Sequence, residues 1–218
     1  MGSDGVIVLP IRLVVFDADG TLTCHSSIWW RLHEHFRTEK LGKTYFDQFF
    51  AGEITYNQWA ELDAGLWKGQ PVEEVMRVVA ETRTVPGAQE TIAELKEQGI
   101  HVAILSGGLD ILADDIGRRV GIEYVLTNRL LSSEGILTGG VEVRVGWGEK
   151  IHEIKEILDH FGVPLSETAY VGDGKNDMTI FSHVGLSIAF RPKSAEVSEA
   201  AMVTIEGNDL RHILEHIV

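Results

Sequence analysis

The 218-residue sequence holds one cysteine, Cys24, which excludes an internal disulfide framework and any zinc site built from several thiolates. No apolar run approaches the roughly 18 residues that a membrane span requires. Val6 to Leu9 is too short for the apolar centre of a signal peptide. A cytoplasmic protein without a membrane partner is therefore expected. Basic residues are scarce as well, with 19 Lys and Arg against 33 Asp and Glu and a formal net charge of −14. Such a chain repels a phosphate backbone, so no nucleic-acid partner is expected. A small anionic ligand would need a local cluster of cations, amides and metal to overcome the surrounding field. There is no internal repeat and no low-complexity tract, and Met1 to Asp4 reads as a flexible start.

What is present is a series of apolar runs of strand length: Leu13 to Phe16, Val102 to Leu105, Tyr124 to Leu126, Ala169 to Val171 and Leu186 to Phe190. Helical patterns separate most of them. Pro86 occupies a plausible first-turn position for a helix with Ile92 and Leu95 on its apolar stripe and Gly99 at its end. A second helix is expected from about Glu149 to Phe161, closed by Gly162 and Pro164. Strands apolar on both faces and alternating with helices predict an α/β fold with an open, doubly wound, mostly parallel sheet. Two segments break the rhythm. Leu130 to Val145 carries SSEG and TGG turn signals and then alternates Val141, Val143 and Val145 with Glu142 and Arg144, which predicts an antiparallel hairpin. Residues 24–84 show helical patterns and no strand, and hold four of the five tryptophans. They predict a small helical domain inserted after the first strand into a core of residues 1–23 and 85–218.

In open α/β sheets, ligands bind beyond the carboxyl ends of the strands, and polar residues of this sequence gather there. The first strand runs into Asp17 and Asp19, two carboxylates on one side of the backbone whose mutual repulsion calls for a cation. Ser106, Gly107 and Gly108 follow the second strand just before a helix, offering a hydroxyl and free amides to an anion. Lys150 opens the Glu149 helix. Ala169 to Val171 runs into GDGKND, which supplies Asp173, Asn176 and Asp177. Taken singly, the first pair could be a turn, Ser106 a helix cap and Lys150 a surface lysine. A calcium loop starting at Asp173 is disfavoured, because Lys175 takes its third position and Val184 its twelfth.

In order and spacing, DADGT at Asp17 to Thr21, Ser106 in LSGG, Lys150 and GDGKND at Gly172 to Asp177 resemble the four motifs of the haloacid dehalogenase superfamily. Among its members the phosphoserine phosphatases are most similar, and NRLLSSEGILTG also resembles their sequences. The resemblance implies a Rossmann-like core with the helical insertion as its cap, and a magnesium-dependent phosphomonoesterase acting on a small phosphorylated metabolite. It further implies that Asp17 is the nucleophile that becomes an aspartyl phosphate, and that Asp19 is the general acid and base. The metal would be held by Asp17, Asp173 and the main-chain carbonyl of Asp19. Asp177 would lie behind the metal or orient Lys150. Ser106, the Gly107 amide, Lys150 and Asn176 would hold the phosphoryl oxygens.

Phosphoserine phosphatases place a glutamate after the first motif and an arginine in the cap; alignment on the motifs puts Ser26 and Asp63 there. The aromatic residues Trp29, Trp30, Phe50, Tyr56 and Trp59 are expected to pack the cap's own core rather than line a pocket. Three other functions compete: transfer of the phosphoryl group to an alcohol, a non-enzymatic phospho-aspartate switch, and a zinc protease. The last rests on HILEH, His212 to His216, a segment better read as a terminal helix.

Overall fold

The computed structural model describes residues 10–218, so the readings of Met1 to Asp4 and Val6 to Leu9 lie outside the described residues. Seven strands form one sheet in the order β4-β3-β2-β1-β5-β6-β7. These are β1 (Leu13–Phe16), β2 (His101–Leu109), β3 (Tyr124–Ser133), β4 (Ile136–Glu142), β5 (Thr168–Gly172), β6 (Leu186–Phe190) and β7 (Val203–Ile205). Every pairing is parallel except β3 with β4.

Strand β1 sits in the centre and is buried along its whole length. Its residues alternate between the two faces, as a strand's must. Val14 and Phe16 join the core formed with α5 (Ala88–Glu97), α6 (Asp110–Val120) and the terminal turn bearing Leu210 and Ile213. Leu13 and Val15 join the opposite core, formed with α7 (Lys150–Phe161), α8 (Met178–Phe181) and α9 (Ala195–Ala200). Because β1 is flanked by β2 on one side and β5 on the other, the order of connection reverses there. The crevice of an open α/β sheet therefore opens above β1, β2 and β5.

Between β1 and β2 lie α1 (Ile28–Phe36), α2 (Glu39–Phe50), α3 (Tyr56–Leu66) and α4 (Val72–Glu81). Local chemistry fixes their ends. Ser27 Oγ accepts the Trp30 N–H at 3.3 Å, Thr55 and Gln58 form a reciprocal capping box, and Pro71 precedes α4. The layer is continuous with the core beneath it, since Ile28, Leu32, Trp67, Val75 and Val79 belong to the same apolar cluster as Val14 and Phe16. Its two connections to the core are joined by a bridge between Thr23 and Thr84.

Three local expectations are corrected. Pro86 does not occupy the first turn of α5, which begins two residues later. Gly87 stands at its N-cap with φ +76°, where a Cβ would run into Asp209. The hairpin turns at Glu134 and Gly135, and β4 ends at Glu142, so Val143 and Val145 lie outside the strand. Their alternation is overridden because the side chain of Asn128 in β3 takes the N–H groups of Arg144 and Val145 on its Oδ1, each at 2.8 Å, in place of a backbone ladder. Finally, the terminal segment Leu210–His216 is a 3-10 helix. At three residues per turn, His212 and His216 point about 120° apart, which removes the shared face that a zinc-binding pair would need.

Candidate active site

Strand β1 delivers Asp17, whose N–H still continues the sheet ladder to Val171 O at 2.9 Å. The chain then turns through Gly20 at φ +88°, where any Cβ would overlap the Asp173 carboxylate. Glycine is required here by both conformation and contact. The turn brings the exits of β1 and β5 together, and the carboxylates of Asp17, Asp173 and Asp177 each place an oxygen within 4.8 Å of the others. Asp19 points elsewhere: its Oδ1 accepts the Ile28 N–H at the start of α1, 3.1 Å away.

Lys150, the first residue of α7, is fully buried. Its ammonium donates to Asp17 Oδ1 at 2.8 Å, to Asp177 Oδ1 at 2.6 Å and to the Tyr170 hydroxyl at 2.9 Å. Asp177 has both oxygens committed, because Oδ2 accepts the Asp173 and Gly174 amides at 3.0 and 2.9 Å. It orients the lysine and closes the loop, while the second oxygen of Asp17 and Oδ1 of Asp173 remain open. The Ser106 hydroxyl is buried over β1 and accepts the Gly108 N–H at 3.2 Å. The Gly107 carbonyl is held by Trp29 Nε1 at 3.1 Å, Asn128 Nδ2 at 3.0 Å and the Tyr56 hydroxyl at 3.3 Å. Ser106, Gly107, Asn176, Asp17 and Asp19 line one cavity of about 440 Å³.

Burial dominates the electrostatics. It raises Asp17 above the usual carboxylate range despite the Lys150 ion pair. Asp19 is pushed up to about 7, by burial first and the Asp17 charge second, with the Ile28 hydrogen bond opposing. Asp173 is pushed up to about 8 by burial, against the pull of Lys193. Burial disfavours the Lys150 cation, yet Asp17 and Asp177 outweigh it and hold the ammonium well above its ordinary value. When ionised, four carboxylates thus face two ammonium groups, Lys150 and Lys193, with two negative charges in excess, and without a cation that excess is relieved by protons on Asp19 and Asp173. Among the described residues, Asp173 Oδ1 is buried with no hydrogen-bond partner. An all-oxygen donor set with an orphaned carboxylate oxygen and a surplus of two charges fits a hard divalent cation.

All eight residues singled out from the sequence lie in or directly behind this cavity, with one rearrangement. The carboxylate cluster is Asp17, Asp173 and Asp177, and the Asp19 side chain stands apart from it at the α1 terminus. Sequence reasoning missed Lys193, which pairs with Asp173 Oδ2 at 2.9 Å and reaches Ser26 O at 3.3 Å. Its position just past β6 was the available signal. Tyr170 and Asn128 were missed too, because a strand tyrosine and a strand asparagine carry no local mark of what they bind.

The helical insertion supplies another part of the cavity wall. Trp29, Trp30, Tyr56 and Trp59 line it, contrary to the expectation that they serve only the insertion's own packing; Phe50 is half exposed and is not among the lining residues. Trp59 stacks on Phe49 at 4.9 Å and meets Trp147 of the core at 6.3 Å. Asp63 and His33, both buried, also belong to this part, as does Ser26.

The haloacid dehalogenase-like hydrolase model matches residues 14–182, the span that holds every one of these polar groups except Lys193. The chain belongs to that family. It is a phosphatase-type member, 36% identical over 210 residues to a phosphoserine phosphatase of Methanocaldococcus jannaschii, with 94% of this chain and 97% of that protein covered. A phosphoserine phosphatase of Streptococcus thermophilus is 29% identical over 93% of this chain and 94% of its own length. Among solved structures, a substrate-bound phosphoserine phosphatase complex superposes with a TM-score of 0.83 at 33% identity, covering 96% of this chain and all of that one. A phospho-aspartyl intermediate analogue of phosphoserine phosphatase gives 0.82 at 34% identity over the same coverage. Among the described residues, no helix is long and apolar enough to cross a membrane.

Proposed function

We propose that this protein is a magnesium-dependent phosphomonoester hydrolase that works through an aspartyl phosphate on Asp17, with residues 24–84 as the cap over its site. The observation that carries the reading is the state of the Asp17 carboxylate. One oxygen is pinned by a buried ammonium and the other is open toward the cavity, so the group is aimed without being blocked.

A phosphate ester and a carboxylate repel each other, so the site must supply positive charge and donors before attack is possible. The Ser106 hydroxyl, the Gly107 amide and Asn176 hold the phosphoryl oxygens, and Lys150 joins them by releasing one of its three present contacts. Magnesium would be held by Asp17, Asp173 and the Asp19 main-chain carbonyl, and would neutralise charge on the phosphoryl group and the carboxylate. In the first half-reaction, the open oxygen of Asp17 bonds to phosphorus as the ester oxygen leaves. Asp19 gives that oxygen its proton. In the second, Asp19 takes a proton from water, the water oxygen bonds to phosphorus, and the bond to Asp17 breaks to release phosphate. A carboxyl poised at about 7 is matched to donating and accepting near neutral pH.

The similarity to phosphoserine phosphatases supports a small phosphorylated metabolite as substrate. Phosphate release from p-nitrophenyl phosphate, with and without EDTA, tests the reaction. Borohydride trapping of the phosphoenzyme, which converts an acyl phosphate to an alcohol, should mark residue 17. Labelling at any other residue overturns the nucleophile assignment.

A further inference from the structure

Resting on the phosphomonoesterase reading, we propose that the alcohol part of the substrate carries a cationic amine and no carboxylate, with Asp63 and the surrounding aromatic rings as its receptor.

Asp63 is 3% exposed, lies in α3 and lines the cavity together with the rings of the insertion. Its Oδ1 has no partner in full hydrogen-bond geometry among the described residues. His33 Nε2 lies 3.3 Å from it, within ion-pair distance, and with Trp59 offsets part of the cost of burying this carboxyl. His33 is itself locked in place. Its Nδ1 meets the Thr38 hydroxyl at 2.8 Å, and that hydroxyl also accepts the Trp67 indole N–H at 3.3 Å. Gly42 lies so close that a Cβ there would come within 2.6 Å of the imidazole Nε2. Asp63 is therefore a buried carboxylate on the cavity wall with one ion-pair neighbour and an oxygen short of a well-formed hydrogen bond, which leaves it capacity for a second cation.

Three kinds of alcohol group can be compared against this part of the site. A neutral apolar group would cover Asp63 without replacing the hydrogen bonds it loses, which is unfavourable for a buried charge. A carboxylate would face Asp63 directly. The lysines that line the cavity, Lys175 and Lys193, are already paired with Glu196 and Asp173. A cationic amine suits both features at once: it compensates Asp63 and lies against the faces of Trp29, Trp30, Trp59 and Tyr56, whose quadrupoles attract cations. The cavity of about 440 Å³ accommodates such a group together with the phosphate.

The test compares phosphomonoesters matched in size. 2-Aminoethyl phosphate is set against propyl phosphate, and phosphocholine against its uncharged carbon isostere, 3,3-dimethylbutyl phosphate. Phosphoserine, which is 2-aminoethyl phosphate with a carboxylate added, is the fifth substrate. In at least one pair the cationic member should win by about tenfold or more in kcat/KM, and 2-aminoethyl phosphate should exceed phosphoserine. In Asp63→Asn the winning ratio should collapse to within about twofold. Titration of ethanolamine and choline by calorimetry, into wild type and Asp63→Asn, reads the same receptor without turnover and should show binding only to wild type. Neutral esters hydrolysed as well as cationic ones in both pairs, or phosphoserine preferred over 2-aminoethyl phosphate, would overturn the inference. If Asp63→Asn fails to fold, the wild-type ratios and titrations decide alone. If p-nitrophenyl phosphate and all five esters resist hydrolysis, the phosphomonoesterase reading fails, while the amine titrations still judge the receptor.

Discussion

At the floor of the cavity, nearly every charged atom is tied to another: Lys150 to Asp17, Asp177 and Tyr170, Asp177 to two amides, Lys193 to Asp173. At the cap end a single carboxylate stands among rings with His33 as its one ion-pair partner and one oxygen short of a hydrogen bond. Both ends are buried, so the contrast is one of saturation and not of solvent. The floor comes from the exits of three parallel strands, where backbone geometry fixes positions closely and a network can close on itself. The cap end comes from α1, α2 and α3, whose contacts with one another are aromatic and tolerant of exchange. A saturated network suits a reaction step common to many substrates. An unsaturated pocket suits the choice among them.

The sharpest way to break this contrast is at the floor. Asp17→Asn should leave the fold intact and lower turnover by about 10³-fold or more for every phosphoester offered, read as phosphate release with folding checked by circular dichroism. A loss confined to some substrates would mean that the floor, too, selects. Lys150→Met should be the most destabilising of the floor variants. It strands Asp17 and Asp177 in the interior, a defect of about 3–5 kcal/mol, visible as a lower urea midpoint.

Metal and protons should compete for the same oxygens. Asp173 at about 8 and Asp19 at about 7 both lie above the ordinary 3.8. The metal-free native protein therefore binds protons that the unfolded chain has released, and its stability must fall as pH rises from about 4 to about 8. The change should be on the order of a few kcal/mol, and magnesium should flatten it. Urea titrations at several pH values with and without the ion measure both slopes, and a flat metal-free profile would count against the surplus of negative charge. The smallest effect belongs to the cap end. Trp59→Leu should raise KM about 3- to 10-fold for some esters and leave kcat nearly unchanged; an equal loss across all esters would erase the distinction between the two ends.

The strands β1 to β6 and the helix ending at Gly162 were legible because burial on both faces writes continuous apolar runs, as in Leu13–Phe16, and because Gly162 marks a helix end locally, whereas β7 at Val203–Ile205 was not foreseen. The floor was legible for a related reason: its residues sit at strand exits, so Asp17, Ser106 and Asp173 could be placed by their neighbours in sequence. What escaped depended on partners far along the chain. Asn128 ends β4 at Glu142 by bonding to residues 144 and 145, and Gly87 displaces the start of α5 because Asp209 lies against it. Lys193 and Tyr170 gain their roles from Asp173 and Lys150, neither of which is near in sequence. The orientation of Asp19 toward α1 and away from the other carboxylates is likewise set by a backbone amide nine residues on.

The Gly107 carbonyl accepts one donor from the sheet, Asn128, and two from the helical layer, Trp29 and Tyr56. Asn128 also grips Val145 from both its amide atoms. If the layer lifts to admit a substrate, two of those donors depart with it and the third stays. The phosphate loop would then be loosened without being set adrift, and the return of the indole and the phenol would restore its seating. One side-chain amide thus makes access and alignment separable events in the same few cubic nanometres.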